Sequence, residues 1–208
     1  MEQADKTDKK TKYYTAGRAV ERVIQNFKTN RDSSAVKAQL AALRRGLGKS
    51  PDQDPEVWGM VLNYLPENLN SGHHITNTEQ AVFAALTLYA RGAQGEEGRK
   101  KPAQRDGVSL GQAMAGLVKP NKNNEGSVLT KIKSIMASKS IEEMSTRIRP
   151  LISMISEETG LDYPKLADEL AVYFHHDVGK NIRMEWARDY VYKRKAETES
   201  DKENTENQ

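Results

Sequence analysis

Apolar residues along this chain recur every three to four positions, and no segment alternates apolar and polar residues as a half-buried strand would. The pattern is clearest between Leu161 and Lys195. Asp162 and Pro164 there are typical of the start of a helix, because the carboxylate accepts from free amides and proline lacks one. The apolar stripe that follows consists of Leu166, Leu170, Tyr173 and Phe174.

The same stretch predicts a second helix after a tight turn. The first stripe is expected to end at His175, with Gly179 as a left-handed cap and Asn181 as the new N-cap. The apolar residues of the second helix are Ile182, Trp186 and Tyr190. Its other side is basic.

Comparable helical stripes fill most of the chain before this region. Asp54 and Pro55 are expected to open one helix and Pro66 to close it, Thr76 lies at the start of another, and Pro150 is expected to kink or restart a later one. The stripes run over residues 16–27, 36–47, 57–65, 82–89, 109–118, 129–136 and 141–155.

One segment interrupts the pattern. Residues 92–107 contain four glycines and a proline without periodicity, which is typical of a mobile basic linker. We therefore predict an all-α fold of two small helical bundles, N-terminal and C-terminal, joined by a basic loop. The expected divisions are a disordered tail at 1–12, the N-terminal bundle at 13–98, the linker at 99–107, the C-terminal bundle at 108–195 and a disordered acidic tail at 196–208.

Composition narrows the class of protein. The chain has no cysteine, which excludes disulfides and thiolate metal sites, and no apolar run approaches the roughly 18 residues of a membrane span. The charged start of the chain does not have the pattern of a signal or transit peptide. We expect a cytoplasmic protein that does not bind membranes.

Charge is unevenly distributed along the chain. The net charge is +3 overall, but residues 196–208 carry −4 and residues 1–12 carry +1, which leaves +6 for the body between them. Residues 99–149 hold eleven lysines and arginines against four acids. The body is therefore basic, and clustered cations of this kind are typical of a surface that follows phosphates.

Two motifs suggest catalysis, and neither is complete. The elbow-like sequence around Ser109 (GVSLG) lacks the buried strand that a hydrolase nucleophile requires, so we interpret Ser109 as an N-cap. His175, His176 and Asp177 resemble the histidine–aspartate pair of a metal-dependent phosphohydrolase, but such a site needs further ligands and the only other histidines are His73 and His74, on a loop. We expect no catalytic residue, no metal and no cofactor; a hydrolase built on His176 and Asp177 is the enzymatic alternative.

The candidate phosphate contacts are basic residues on several elements. Arg44 and Arg45 also have a structural explanation, because cations in the last turn of a helix complement its dipole. Few aromatic residues are free to stack on bases, which favours sequence-independent contact with the nucleic-acid backbone. The candidates are Arg44, Arg45, Lys100, Lys101, Arg105, Lys131, Lys133 and Arg149.

Five segments in order resemble the CasB family, the small subunit of the type I-E CRISPR surveillance complex, Cascade. They are AQLAALRRG at 38–46, VSLGQAM at 108–114, TRIRPLISMI at 146–155, LDYPKLADEL at 161–170 and WARDYVY at 186–192. The resemblance supports Arg44, Arg45 and Arg149 as contacts. Lys131 and Ile132 depart from it, since the family often has an arginine followed by an aromatic residue there.

The resemblance implies an all-helical, non-enzymatic subunit that stabilises an R-loop in antiviral defence. Its expected partners are the Cascade backbone and large subunits, a second copy of itself placed head to tail, CRISPR RNA, and target and non-target DNA. The displaced non-target strand and the RNA–DNA heteroduplex would be held by its basic surface. The alternative from another class is a helical adaptor with protein partners only.

Overall fold

The computed structural model describes residues 15–65, 74–96, 102–119 and 123–206, and ten α-helices lie within them. In these ranges the only β pairing is an isolated bridge between Gln104 and Leu161. The predicted all-α class is confirmed. The helices are α1 (Thr15–Thr29), α2 (Ser34–Gly46), α3 (Pro55–Leu62), α4 (Asn77–Gly92), α5 (Leu110–Ala115), α6 (Glu125–Met136), α7 (Ile141–Ile148), α8 (Ile152–Glu158), α9 (Tyr163–Val172) and α10 (His176–Glu206), with a short 3-10 turn at Pro51–Gln53.

Helix α4 lies at the centre of the fold. Every residue from 81 to 90 is buried, as expected for a helix that is apolar on all sides. Its start is fixed by a capping box, in which Thr76 Oγ1 accepts from the Glu79 amide at 3.2 Å and the Thr76 amide donates to Glu79 Oε2 at 2.6 Å.

Helices from both halves of the chain enclose α4. Helices α1, α2 and α3 contact it from the N-terminal half, and α7, α8 and α9 contact it from the C-terminal half. Tyr89 shows the arrangement: its ring stacks on Phe27 of α1 at 6.4 Å and meets the edge of Tyr163 of α9 at 5.4 Å. The two halves therefore share one core, while the boundaries of two bundles stay a prediction.

The described part of the predicted linker is hydrogen-bonded to a distant segment of the chain. Ala103 is fully buried, its carbonyl accepts from the Leu161 amide at 2.9 Å, and the Arg105 amide donates to the Leu161 carbonyl at 3.0 Å. Gln104 Oε1 accepts from the Tyr163 amide at 3.0 Å. These hydrogen bonds could not be predicted from the sequence, because backbone pairing with a distant segment leaves no periodic signature. The mobility of the linker stays a prediction.

The turn before α10 also differs from the prediction. Helix α10 begins at His176, so Gly179 and Asn181 lie inside it rather than capping it. A Cβ at Gly179 would collide with the Tyr173 carbonyl oxygen, which means that glycine is needed for a close approach. Phe174, expected in the apolar stripe, lies in the turn and is 36% exposed.

The structure of the acidic tail differs from the predicted disorder at residues 196–208. Residues 196–206 continue α10 instead of being disordered. Once α10 is docked, each added residue gains a backbone hydrogen bond without a new nucleation cost. Glu197 reinforces it through ion pairs to Lys193 at 3.4 Å and Arg194 at 3.0 Å, and Arg194 also reaches Glu125 of α6 at 3.5 Å.

Two carboxylates, the half-buried Asp168 and the buried Glu169, join α9 to its neighbours. Asp168 Oδ1 accepts from the Gly17 amide of α1 at 2.7 Å, and Glu169 Oε2 accepts from Trp186 Nε1 of α10 at 2.8 Å. Burial raises the pKa of Glu169 from 4.5 to about 7 and the pKa of Asp168 from 3.8 to about 6. Both carboxyl groups therefore favour the protonated form more in the folded state than in the unfolded one.

We expect the stability of the protein to fall as the pH rises from 5 to 8. Between about pH 4.5 and 7 the folded state retains the Glu169 proton that the unfolded state releases, so the free energy of unfolding decreases by about 1–3 kcal/mol. Glu169→Gln keeps an acceptor for Trp186 and should remove that part of the decrease. Urea unfolding of the wild-type protein and of Glu169→Gln at pH 5 and 8 measures the decrease. Equal decreases in the two proteins would contradict the prediction.

Candidate nucleic-acid interface

The C-terminal end of α2 is held close to the core. A Cβ at Gly46 would lie 2.9 Å from Phe83 of α4, and Gly48 follows with a φ of +83°. A Cβ at Gly48 would lie 2.9 Å from Thr146 Oγ1 of α7. The absence of a side chain at Gly48 therefore lets the turn after α2 approach Thr146 of α7 closely.

Cations that are about a hundred residues apart in sequence flank this contact. Arg45 precedes Gly48 by three positions, and Arg149 follows Thr146 by three, directly after α7. Both side chains are exposed, and within the described residues neither makes an ion pair. We define the basic face as Arg44, Arg45, Lys49 and Arg149.

Within the basic face, Arg44 is half-buried and Lys49 is exposed in the turn after α2, where its amide donates to the Gly46 carbonyl at 3.0 Å. Sequence reasoning missed Lys49. Lys49 could have been proposed because it lies close to Arg44 and Arg45 in sequence. The contact between Gly48 and Thr146 could not have been proposed in this way, because the two residues are far apart in sequence.

Arg147, close to Arg149 in sequence, has a structural role. Its Nη1 donates to the Ser134 carbonyl of α6 at 2.7 Å, and its Nη2 donates to Glu143 Oε1 at 2.5 Å. The amide of Lys139 and the Arg147 guanidinium together lower the pKa of Glu143. Arg147 therefore ties α7 to α6, and its charge is already paired.

The two candidate lysines of α6 point in different directions. Lys131 and Lys133 are both exposed but two positions apart, which separates them by about 200° around the helix. Lys131 Nζ hydrogen-bonds Ser127 Oγ at 2.9 Å. One flat partner cannot contact both directly, so at most one of them extends the basic face.

Arg105 belongs to a separate group of cations. Its Nη1 donates to the Thr159 carbonyl at 3.2 Å at the end of α8, and it lines a cavity of about 450 Å³. Sequence reasoning missed its basic neighbours in that cavity, although the run YKRK at 192–195 was a signal. These neighbours are Lys119, Lys193 and Arg194. Lys100 and Lys101 lie outside the described residues.

The two motifs that suggested catalysis, at Ser109 and at His176 and Asp177, form hydrogen bonds with residues close to them in sequence. Ser109 caps α5, as predicted, by accepting from the Gln112 amide at 3.2 Å. His176 Nδ1 lies 3.0 Å from Asp177 Oδ1, and both side chains are exposed. Across the described residues, no group of three or more His, Cys, Asp or Glu side chains is placed to hold a metal ion.

None of the described helices combines the length and apolar character needed to cross a membrane.

Comparison with known proteins gives one family and several similar structures. The family model described as CRISPR-associated protein Cse2 (CRISPR_cse2) matches residues 39–191. The crystal structure of CasB from Thermobifida fusca is similar with a TM-score of 0.67 at 22% identity, covering 85% of this chain and 97% of that one. The crystal structure of CasB from Thermus thermophilus gives 0.59 at 22%, covering 83% and 97%.

A chain of a structure described as a CRISPR RNA-guided surveillance complex is also similar. Its TM-score is 0.65 at 19% identity, over 89% of this chain and 98% of that one. At these identities the structures establish a shared fold. Comparison with curated proteins gave no match.

We expect Arg147 and Arg149 to differ in what they contribute to stability. Arg147→Gln loses the bonds to Ser134 and Glu143, so the free energy of unfolding should fall by about 1 kcal/mol. Arg149→Gln removes an exposed, unpaired cation and should change it by less than about 0.5 kcal/mol. Urea unfolding at pH 7 measures the free energy of unfolding of both variants. A larger decrease for Arg149→Gln than for Arg147→Gln would contradict the assignment of the structural role to Arg147.

Proposed function

The chain belongs to the family of CRISPR-associated protein Cse2, and we propose that it is a non-enzymatic subunit of a CRISPR RNA-guided surveillance complex that holds nucleic-acid backbone. The observation that carries the proposal is the close approach of Gly48, in the turn after α2, to Thr146 of α7, because the cations of the basic face lie within a few positions of these two residues in sequence. The similar chain in a surveillance complex supports the assembly.

The basic face suits contact with phosphates rather than with bases. Arg45 and Arg149 are exposed cations at the C-terminal ends of α2 and α7, and an arginine presents its donors in a planar fork that matches phosphate oxygens. Aromatic side chains such as Tyr89 and Trp186 lie in the core, where they are unavailable for stacking on bases. Binding of this kind does not depend on sequence.

Sequence-independent binding is useful in a complex whose specificity comes from a guide RNA. Exchange of a DNA duplex for an RNA–DNA heteroduplex is nearly balanced in free energy, so contacts with the backbone decide its direction. We propose that the basic face holds the displaced non-target strand, and the heteroduplex beside it, and thereby stabilises the R-loop.

Further partners of the proposed complex follow from the resemblance to CasB proteins. They are the type I-E Cascade backbone and large subunits, a second copy of this chain placed head to tail, CRISPR RNA, and both strands of the target DNA. A helical adaptor that contacts proteins only is the competing proposal.

Charge reversal of the basic face should weaken R-loop formation without unfolding the protein. In the assembled complex, Arg45→Glu with Arg149→Glu removes two phosphate contacts, so the slope of log affinity against log salt should become shallower by about 1.4 for a single strand. The measurement is the affinity of the complex for target DNA during R-loop formation, at salt concentrations from about 50 to about 200 mM.

The matched control is Lys28→Glu with Lys180→Glu, which changes the net charge equally at exposed sites outside the basic face. The control should retain the wild-type slope. If both pairs leave R-loop formation unchanged while the complex still assembles, the adaptor is favoured and the proposed contacts are wrong.

A further inference from the structure

Apolar side chains are exposed along one side of α10. Met184 is 53% exposed and Val191 is 45% exposed, and Tyr192, next to Val191, is 66% exposed. Met184 and Val191 are seven positions apart, so they lie on the same side of the helix, two turns from each other. Exposed apolar residues that line up in this way are typical of a surface that another protein covers.

Helix α6 runs beside this part of α10 in the opposite direction. Glu125, at the start of α6, pairs with Arg194 of α10 at 3.5 Å. The carbonyl of Met136, at the end of α6, accepts from the hydroxyl of Tyr173, just before α10, at 2.9 Å. Residues of α6 and α10 also line one small cavity together. The two helices therefore form an antiparallel pair.

An exposed leucine of α6 extends the apolar surface of α10. Leu129 is four positions after Glu125, and Val191 is three positions before Arg194. Because Glu125 and Arg194 form an ion pair between antiparallel helices, both apolar residues lie about one turn from that pair, in the same direction. Leu129 is 36% exposed. We define the apolar strip as Leu129, Met184, Val191 and Tyr192.

Cations flank the apolar strip. The residue four positions after Leu129, after Met184 and after Val191 is in each case basic, and residues four positions apart are neighbours on a helix surface. All three of these residues are exposed, and within the described residues none of them makes an ion pair. We define the flanking cations as Lys133, Arg188 and Lys195.

The carboxylates of the same part of α10 lie on a different side of the helix. Glu185 Oε1 accepts from Lys165 Nζ of α9 at 2.9 Å, and Asp189 is one turn further along that side. The flanking cations therefore have positive charge that no ion pair of the described residues neutralises. Negative charge on a partner is complementary to them.

The spacing of the apolar strip and its cations defines the shape of the partner. On α10 they occupy positions 184, 188, 191 and 195, with the three- and four-residue spacing by which one helix packs along another. These positions cover about 16 Å of helix, or about three turns. A second helix with an apolar stripe and acidic residues beside it fits both the apolar strip and its charges.

A nucleic-acid strand fits the same surface less well. Phosphates would pair with the flanking cations, but Leu129, Met184 and Val191 have no aromatic ring on which a base could stack, and Tyr192 is the one aromatic residue of the apolar strip. Burial of aliphatic and thioether side chains is most favourable against other apolar groups. The apolar strip therefore favours a protein partner.

We propose that the apolar strip and the flanking cations bind an amphipathic, acidic helix of a different protein subunit. The inference rests on the proposed function only for the source of that helix, a neighbouring subunit of the complex. Lys133, which its charge made a candidate phosphate contact, then contacts protein. The apolar strip lies on α6 and α10, and the basic face lies near the ends of α2 and α7, so the two surfaces use different helices.

A zero-length cross-linker tests the chemistry of the partner. Carbodiimide joins a lysine amine to a carboxylate in contact with it, and it is applied to the assembled complex before DNA is added. Lys133 and Lys195 should be joined to aspartates or glutamates of one helix in another subunit, and Lys28, exposed on α1, should not be joined to that helix. Cross-links of Lys133 and Lys195 only within this chain or to a second copy of it, or no cross-links, would overturn the proposal.

Two substitutions test the apolar contact. Met184→Gln with Val191→Gln keeps all charges and should weaken association of the chain with the complex by at least about tenfold. Val178→Gln, at a residue of α10 that is 39% exposed outside the apolar strip, is the matched control and should leave association unchanged. Because these side chains are exposed, urea unfolding should give the wild-type free energy for each purified variant. Equal association of the double variant and the wild type would overturn the proposal.

A charge variant separates the apolar strip from the basic face. Arg188→Gln with Lys195→Gln should weaken association measured without DNA, and complexes that contain the variant should keep the wild-type salt dependence of R-loop formation. If the variant changes only that salt dependence, the surface holds nucleic acid and the proposal is overturned. Association is measured without DNA, so its failure leaves the proposed role of the basic face intact, and failure of the basic-face variants leaves the apolar strip intact.

Discussion

The fold depends on the burial of α4 on all its sides. A helix with apolar residues around its whole circumference is stable in water only when other helices enclose it, and six helices from both halves of the chain do so. Helices α2 and α7 are both among these six, so the close approach of Gly48 to Thr146 occurs between segments that flank the same central helix.

Local signals in the sequence were sufficient for the helices and most of their caps. Asp54, Thr76, Ser109 and Asp162 cap the helices that they were predicted to cap, because capping involves residues only three positions apart. Gly179 was misassigned for the opposite reason: the same residue serves a turn or a close approach, and only the position of Tyr173 decides between them.

The candidate nucleic-acid site could be predicted from the sequence less completely than the helices. Charge selected Arg45 and Arg149, which are exposed, as phosphate contacts, and that role stays a prediction. The structure adds that Arg105 lines a cavity with other cations and that Lys131 and Lys133 lie on different sides of one helix.

Cross-linking of the displaced strand tests the central claim most directly. In the assembled complex, a non-target strand that carries photoreactive bases is irradiated after R-loop formation, and the attached peptides are identified by mass spectrometry. We predict cross-links within residues 44–49 and in the segment around Arg149, the two parts of the basic face. Cross-links confined to other segments, such as that of Arg105, would contradict the account.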